Sequence, residues 1–309
     1  MENINLAVSC ENLIKLYKTK DFEVMALQGL DLEVEAGELM AIIGSSGSGK
    51  STLLNILGGL DRPTAGKISV GGVDMLKLSD HDLVRYKRES VGFVWQNSAR
   101  NLVPFLTVQE NVELPMIFTK AKQRREHAKM LLELVGLSNK RKSKTYELSG
   151  GEQQRVAIAI AMANKPGLML ADEPTGSVDT HTTGIIMDIF QELQKQGHTV
   201  IIVTHDLQIS KRVNRVVAIR DGRNSSEYVR RSFYADTLNL VGTLQRKELD
   251  DEHDEHDELL TVDKVGRVQL PQDYIKSLEI TGGKDKITAE LEGDKILLSK
   301  ARTADTNDQ

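Results

Sequence analysis

The sequence predicts an α/β protein with a largely parallel β-sheet at its core and a small β-rich module at its C-terminus. Over residues 1–230, short apolar runs of strand length alternate with helical patterns, which is typical of parallel α/β construction. From about residue 259 a second compact pattern of strands and Gly or Pro turns begins. The 309 residues suffice for one large and one small domain.

The predicted core strands are continuous apolar runs, which indicates burial on both faces of the sheet. They lie at residues 39–43, 168–171, 200–203 and 216–219; a further strand is expected at 91–95, and antiparallel strands are expected at 10–16 and 30–34. Helical patterns occupy residues 50–58, 123–134, 153–163 and 182–194.

Residues 231–258 are predicted to be an acidic linker, because a dense run of acids cannot bury itself. A metal site at His253 and His256 is the weaker alternative to a flexible, charged spacer. The C-terminal module is assigned to residues 259–300, and residues 301–309 are expected to be a disordered tail.

Composition excludes several classes of protein. The net charge of −5 and the aromatic content of 4% argue against a nucleic-acid surface. The single cysteine, Cys10, fits a reducing cytosol. No run of about 20 apolar residues and no signal peptide is present, so any membrane-spanning part must belong to another chain.

Residues 44–51 match the pattern of a phosphate-binding loop. Glycines let backbone N–H groups converge on triphosphate oxygens, the lysine supplies a positive charge, and the next hydroxyl is a ligand for Mg²⁺. An apolar strand before the loop and a helical pattern after it argue against a chance Gly/Ser loop. The predicted nucleotide-binding residues are Gly44, Ser45, Ser46, Gly47, Ser48, Gly49, Lys50, Ser51 and Thr52, with ATP and Mg²⁺ as the ligands.

Acidic and histidine side chains follow two other predicted strands. Asp172 is expected beside the phosphate loop, where it can hold Mg²⁺, and Glu173 can polarise the attacking water. His205 can reach the γ-phosphate or that water. The alternatives are a solvated acidic strand end and a structural histidine. Glu173 and His205 are the predicted catalytic residues.

The segment 148–155, Leu-Ser-Gly-Gly-Glu-Gln-Gln-Arg, resembles the signature of the ABC ATPases. Ser149, Gly150, Gly151 and Glu152 open a helix and make a second anion-binding terminus. In that family this terminus caps the ATP held by the opposite protomer. The resemblance therefore implies a P-loop NTPase fold with antiparallel β and helical subdomains, and a head-to-tail homodimer.

Other residues match the same family. Tyr17 stands where the family stacks an aromatic ring on adenine, although it could simply pack. Gln96 matches the glutamine that senses Mg²⁺ and the γ-phosphate, so Ser51, Gln96 and Asp172 form the implied metal set. Residues 177–179 match the loop that crosses the dimer interface.

Residues 53–61, 63–66 and 101–108 resemble the lipoprotein-releasing and macrolide-exporting class of ABC transporters. The resemblance implies a separate integral-membrane permease that docks near residues 96–119, with this chain on the cytoplasmic side of the membrane. Candidate apolar contacts are Phe105, Leu106, Leu114 and Met116, each of which could instead belong to the core. The rival hypotheses are a soluble ABC ATPase and an ATP-switched DNA-binding regulator, both without a permease.

Residues 259–300 resemble the SpoVT/AbrB-like swapped-hairpin domain. The segments that carry the resemblance are residues 262–271, a predicted helix at 274–278 and predicted strands at 285–290 and 295–299. The resemblance implies that two copies interlace their hairpins, since about 40 residues cannot bury a stable core alone. Its basic and acidic residues balance, which favours dimerisation or protein docking over DNA binding.

Overall fold

The computed structural model describes residues 5–18, 22–97, 101–206, 209, 211–230, 256–260, 268, 270, 272–278, 280, 287–293 and 295–300. The chain divides into two compact units, Met1–Leu259 and Leu260–Gln309.

The described strands and helices are as follows. The strands are β1 Leu6–Lys18, β2 Glu23–Glu35, β3 Leu39–Ile43, β4 Ala65–Val70, β5 Val73–Asp74, β6 Val91–Val94, β7 Leu168–Asp172, β8 Thr199–Thr204, β9 Arg215–Arg220, β10 Arg223–Arg230, β11 His256–Leu260, β12 Ile287–Glu292 and β13 Lys295–Lys300. The helices are α1 Lys50–Leu57, α2 Asp80–Glu89, α3 Val108–Phe118, α4 Arg124–Leu134, α5 Gly150–Met162, α6 Thr180–Lys195 and α7 Gln272–Ser277.

A seven-stranded sheet in the order β11-β10-β9-β3-β8-β7-β6 forms the centre of the first unit. The five neighbouring strands β9, β3, β8, β7 and β6 pair in parallel. β10 pairs antiparallel with β9. The four predicted core strands and the predicted strand at 91–95 are confirmed to within one residue at either end. The reason is that they are buried on both faces and therefore read as continuous apolar runs.

Alternate side chains of the central strand enter two separate cores, one on each face of the sheet. Leu39 and Ala41 of β3 pack in the core that α5 and α6 cover, with Phe190 fully buried in it. Met40 and Ile42 pack in the core that α1 and the second sheet cover, together with Leu53 and Leu54 of α1. The sheet is therefore sandwiched between helices and the antiparallel layer.

The second sheet is antiparallel, in the order β2-β1-β4-β5. The expected strands at 10–16 and 30–34 are found within β1 and β2, which are both longer. The register between β1 and β2 shifts at four points. Such bulges interrupt the two-residue alternation, and for this reason the sequence pattern revealed only part of each strand.

The helices agree with the sequence patterns with one correction and two additions. α5 begins at Gly150 and not at 153, because Ser149 and Glu152 close a capping box around the two glycines. α2 and α3 were not predicted. In α2 only Tyr86 is buried, so the helix shows no clear apolar stripe. In α3 the side chains of Val108, Val112 and Met116 are buried on one face, but Pro115 is a residue that disfavours a helix interior.

The second unit contains α7 and the antiparallel hairpin of β12 and β13. These elements lie within two residues of the predicted helix at 274–278 and the predicted strands at 285–290 and 295–299. Residues 256–258, which the sequence analysis placed in the linker, belong to β11. Residues 231–255 and the tail 301–309 lie outside the described residues.

Within the part of the chain that the structure describes, no helix combines the length and the apolar character needed to span a bilayer.

Candidate functional site

The phosphate loop joins the carboxyl end of β3 to the start of α1, as the sequence predicted. Gly49 is the residue that precedes the helix, and its φ of +103° is a conformation that only glycine adopts without strain. A Cβ atom on Gly49 would also stand 2.5 Å from the Ala26 carbonyl oxygen. A side chain at this position would therefore push the loop away from the antiparallel sheet.

Lys50 folds back over the loop that it follows. Its Nζ atom donates to the carbonyl oxygens of Gly44 at 2.8 Å and Ser45 at 2.9 Å. Burial lowers the pKa of Lys50, while the nearby carboxylates of Glu173 and Asp172 oppose that shift. The ammonium group is thus held at the mouth of the loop, where a triphosphate would meet it.

Asp172 ends β7 beside the phosphate loop. Its Oδ1 atom accepts a hydrogen bond of 3.4 Å from the Ser51 hydroxyl. Burial, and then repulsion from Glu173, raise the pKa of Asp172. A hydroxyl and a carboxylate this close together are suitable oxygen ligands for Mg²⁺, and a bound cation would favour the ionised carboxylate.

Glu173 occupies a left-handed backbone conformation, with φ +47°, where a side chain is costly by about 1–2 kcal/mol. Its N–H donates to the Val203 carbonyl at 2.8 Å, which ties the residue to the end of β8. The carboxylate is only 12% exposed. The backbone therefore directs this carboxylate inward, away from free solvent.

Two residues at the carboxyl end of β8, the last of the strand and the one after it, hold the Glu173 carboxylate. The Thr204 hydroxyl donates to Oε2 at 3.1 Å, and Nδ1 of His205 lies 2.8 Å from Oε1. Thr204 is fully buried and accepts the N–H of Asp206 at 3.0 Å, whereas His205 is exposed. Sequence reasoning identified His205 but missed Thr204, whose only signal was its place between the apolar strand and the histidine.

One open cavity of about 640 Å³ brings most of the predicted residues together. Its described lining includes phosphate-loop residues with Thr52, Gln96, Asp172, Glu173 and His205. Because β3, β8, β7 and β6 are adjacent parallel strands, their carboxyl ends deliver these side chains to one edge of the sheet.

Tyr17 lies next to this cavity. It pairs across the sheet with Val24, which lines the cavity together with Thr52.

The signature residues do not line that cavity, but Gly150 lines an adjacent cavity together with Ser51, Gln96 and Asp172. Ser149 and Gly150 are exposed at the start of α5, and the Ser149 hydroxyl accepts the N–H of Glu152 at 3.2 Å. The Glu152 carboxylate turns back and accepts the N–H of Ser149 at 2.8 Å, which lowers the pKa of Glu152. Among the described lining residues of the phosphate-loop cavity none comes from 149–152. A single chain therefore offers two separate anion-binding helix starts.

Comparison with known proteins identifies the family. Residues 27–176 match the family model described as ABC transporter. An uncharacterized ABC transporter ATP-binding protein of Thermotoga maritima is 48% identical over 225 residues, which are 72% of this chain and 95% of that protein. The chain belongs to the ABC transporter ATP-binding family. This ABC ATPase is also 41% identical to the macrolide export ATP-binding/permease protein MacB of Brucella melitensis over 75% of the chain, which spans 36% of that protein.

A solved structure supports the same assignment. The ABC ATPase is similar to the ATP-binding cassette MJ0796 in a dimeric, post-hydrolysis state bound to ADP and Pi, with 40% identity and a TM-score of 0.66. The match covers 72% of this chain and 98% of that chain. The predicted fold class is thus confirmed, and the protein is an ATPase that uses ATP with Mg²⁺.

Proposed function

We propose that this ABC ATPase drives a separate membrane permease, and that it hydrolyses ATP at two composite sites of a head-to-tail homodimer. The observation that carries the proposal is the meeting of Lys50, Ser51, Asp172, Glu173 and His205 at one sheet edge, with the exposed signature helix start outside the cavity that they line. Half of a phosphate site is thereby left to be completed by a second copy.

In the proposed reaction, Glu173 accepts a proton from the attacking water, and Lys50 neutralises charge on the transferred phosphoryl group. Ser51, Asp172 and Gln96 would hold Mg²⁺, which supplies charge stabilisation to the phosphate oxygens. His205 stays close to both the carboxylate and the γ-phosphate position. Thr204 keeps the carboxylate aimed into the cavity.

The homodimer follows from the second anion-binding terminus. Its capping box fixes the Ser149 side chain, while its N–H groups and helix dipole favour a negative charge. Pairing two copies in opposite directions places each signature segment over the phosphate loop of the other copy. The residues 177–179 would then cross the interface.

The permease is proposed to dock on the segment 96–119. Phe105 is 75% exposed, and Tyr146, 76% exposed, projects from a neighbouring segment. Lys144 Nζ donates to the Phe105 carbonyl at 2.9 Å and so ties the two segments together. Met116 is 1% exposed and belongs to the core, while Leu106 and Leu114 are half-buried. Docking there would hold the subunit at the cytoplasmic face of the membrane.

A pull-down from solubilised membranes tests the permease assignment. The wild-type chain is expected to retain an integral-membrane protein, and Phe105→Glu is expected to lose it. Met130→Glu, which alters another largely exposed apolar side chain, on α4, is the matched control. Recovery of DNA or ribosomes without any membrane protein would contradict the proposal and support the rival hypotheses.

The C-terminal hairpin is proposed to join two copies in the absence of nucleotide. The register of β12 and β13 places Ile287, Ala289, Leu291, Ile296 and Leu298 on one face. The four larger members of that face are between 37% and 76% exposed. A lone hairpin with such a face is only marginally stable in water, so a second copy is the simplest cover.

Deletion of residues 248–309 tests this second interface. We expect the dissociation constant of the nucleotide-free dimer, measured by analytical ultracentrifugation, to rise at least tenfold. Leu291→Lys in the full chain should have a similar effect, with Glu290→Lys on the opposite face as its control. An unchanged dimer affinity after the deletion would contradict the proposed role of the hairpin.

A further inference from the structure

A cluster of three side chains holds the ring of Tyr17 in one orientation. The Tyr17 hydroxyl donates to Oδ2 of Asp61 at 2.8 Å. Nζ of Lys15 donates to Oδ1 of the same carboxylate at 2.6 Å and lies 4.7 Å from the centre of the Tyr17 ring. We call these residues the Lys15–Tyr17–Asp61 cluster.

The local fold explains why these residues meet. Lys15 and Tyr17 are two residues apart on β1 and therefore project from the same face. After α1 the chain reverses at Gly59, whose φ is +67°, and the N–H groups of Leu60 and Asp61 both donate to the Asn55 carbonyl. Asp61 is thereby fixed beside the C-terminal half of α1, the helix whose start carries the phosphate loop.

The cluster is sufficiently shielded from water to persist. The side chain of Lys15 is 12% exposed and that of Asp61 is 28% exposed, whereas fully exposed ion pairs are worth little. Lys15 Nζ also donates to the Arg62 carbonyl at 2.8 Å. A hydroxyl that donates to a carboxylate makes a charge-assisted bond, which is stronger than a neutral one.

We propose that Asp61 is a positioning residue for the nucleobase: it fixes the ring of Tyr17 as a stacking platform for the purine of ATP. Lys15 occupies one face of the ring, so the base stacks on the other. Without the anchor, the side chain at the end of β1 would sample several rotamers and would have to be ordered by the ligand. This inference rests on the proposed role of Tyr17 at the nucleotide site.

The test compares the affinities of full-chain variants for two ligands, Mg-ATP and Mg-tripolyphosphate, by calorimetric titration. Complete loss of base stacking corresponds to roughly a 5- to 150-fold loss of affinity. Asp61→Ala keeps the ring but frees it, so we expect an ATP affinity about 3- to 10-fold weaker, with the tripolyphosphate affinity unchanged. Asp61→Asn, whose amide oxygen can still accept from the hydroxyl, should recover part of the loss.

Tyr17→Phe supplies the second arm, because it removes only the hydroxyl that Asp61 holds. Its loss of ATP affinity should resemble that of Asp61→Ala, and the double variant should be no weaker than either single variant. Lys67→Ala, which breaks an exposed ion pair with Glu11 on the same sheet, is the control and should leave both affinities unchanged.

Several results would overturn the inference. These are unchanged ATP affinity in Asp61→Ala, an equal loss for ATP and tripolyphosphate, or fully additive losses in the double variant. Lys50→Ala in the same assay separates this inference from the proposed function. If Lys50→Ala weakens both ligands while Asp61→Ala has no effect, only the role of Asp61 fails. If Lys50→Ala binds both ligands as the wild type does, the phosphate-loop assignment fails.

Discussion

Glu173→Gln removes the proposed general base and little else. The glutamine keeps a carbonyl oxygen that can accept from the Thr204 hydroxyl, now 3.1 Å from Oε2, and the backbone conformation need not change. Loss of a general base costs about 10²- to 10⁴-fold in rate, or about 2.7–5.4 kcal/mol in the barrier. The ATP affinity should stay the same or improve, since one negative charge near the γ-phosphate is removed.

Single-turnover release of phosphate and equilibrium ATP binding measure these two quantities separately. We expect the variant to bind ATP, to accumulate as a nucleotide-trapped dimer and to hydrolyse ATP at least 100-fold more slowly than the wild type. Glu126→Gln, an exposed carboxylate paired with Lys129 on α4, is the control and should be unaffected. A rate within tenfold of the wild type would refute the assignment of Glu173 as the base.

Three further predictions concern neighbouring parts of the structure. Thr204→Val should lower kcat about tenfold without weakening ATP binding, because the hydrogen bond that aims the Glu173 carboxylate is lost; steady-state kinetics measure this. The raised pKa of Asp172 means that its proton competes with Mg²⁺ at a higher pH than for an ordinary aspartate, so Mg²⁺ affinity should fall as the pH is lowered; titrations of Asp172→Asn should lack that dependence. Arg215→Met should destabilise the fold by about 3–5 kcal/mol in urea unfolding, because the Glu38 carboxylate, 3% exposed, loses its partner at 2.7 Å; adding Glu38→Gln should restore part of the loss.

The central sheet could be predicted because its strands obey one simple rule. β3, β7 and β8 are buried on both faces, so every position apart from Asp172, Thr199 and Thr204 at the strand ends is apolar, and the strands can be identified in the sequence without any knowledge of their neighbours. The phosphate loop and the acids at the end of β7 could be predicted equally well, because their chemistry depends on residues that are adjacent in sequence. These features fix the architecture of the site.

Other features depend on contacts between distant parts of the chain. Asp61 meets Tyr17 across 44 positions, and Thr204 meets Glu173 across 31, so no local pattern points to either pair. The start of α5 was missed because Gly150 and Gly151 are poor helix formers, although the capping box stabilises the helix around them. The polar surface of α2 likewise gave no periodic signal.

The central claim is that each ATP is held by the phosphate loop of one copy and the signature segment of the other. It can be tested by co-expressing two differently tagged chains, both with Glu173→Gln, one also with Lys50→Ala and the other also with Ser149→Arg. Tandem purification isolates the mixed dimer, and the ATP that it retains after gel filtration is then counted. One retained ATP per mixed dimer, with none in either homodimer, is the predicted result, because only the mixed dimer contains one intact composite site. No retained ATP in the mixed dimer, or retention by the Ser149→Arg homodimer, would contradict the account.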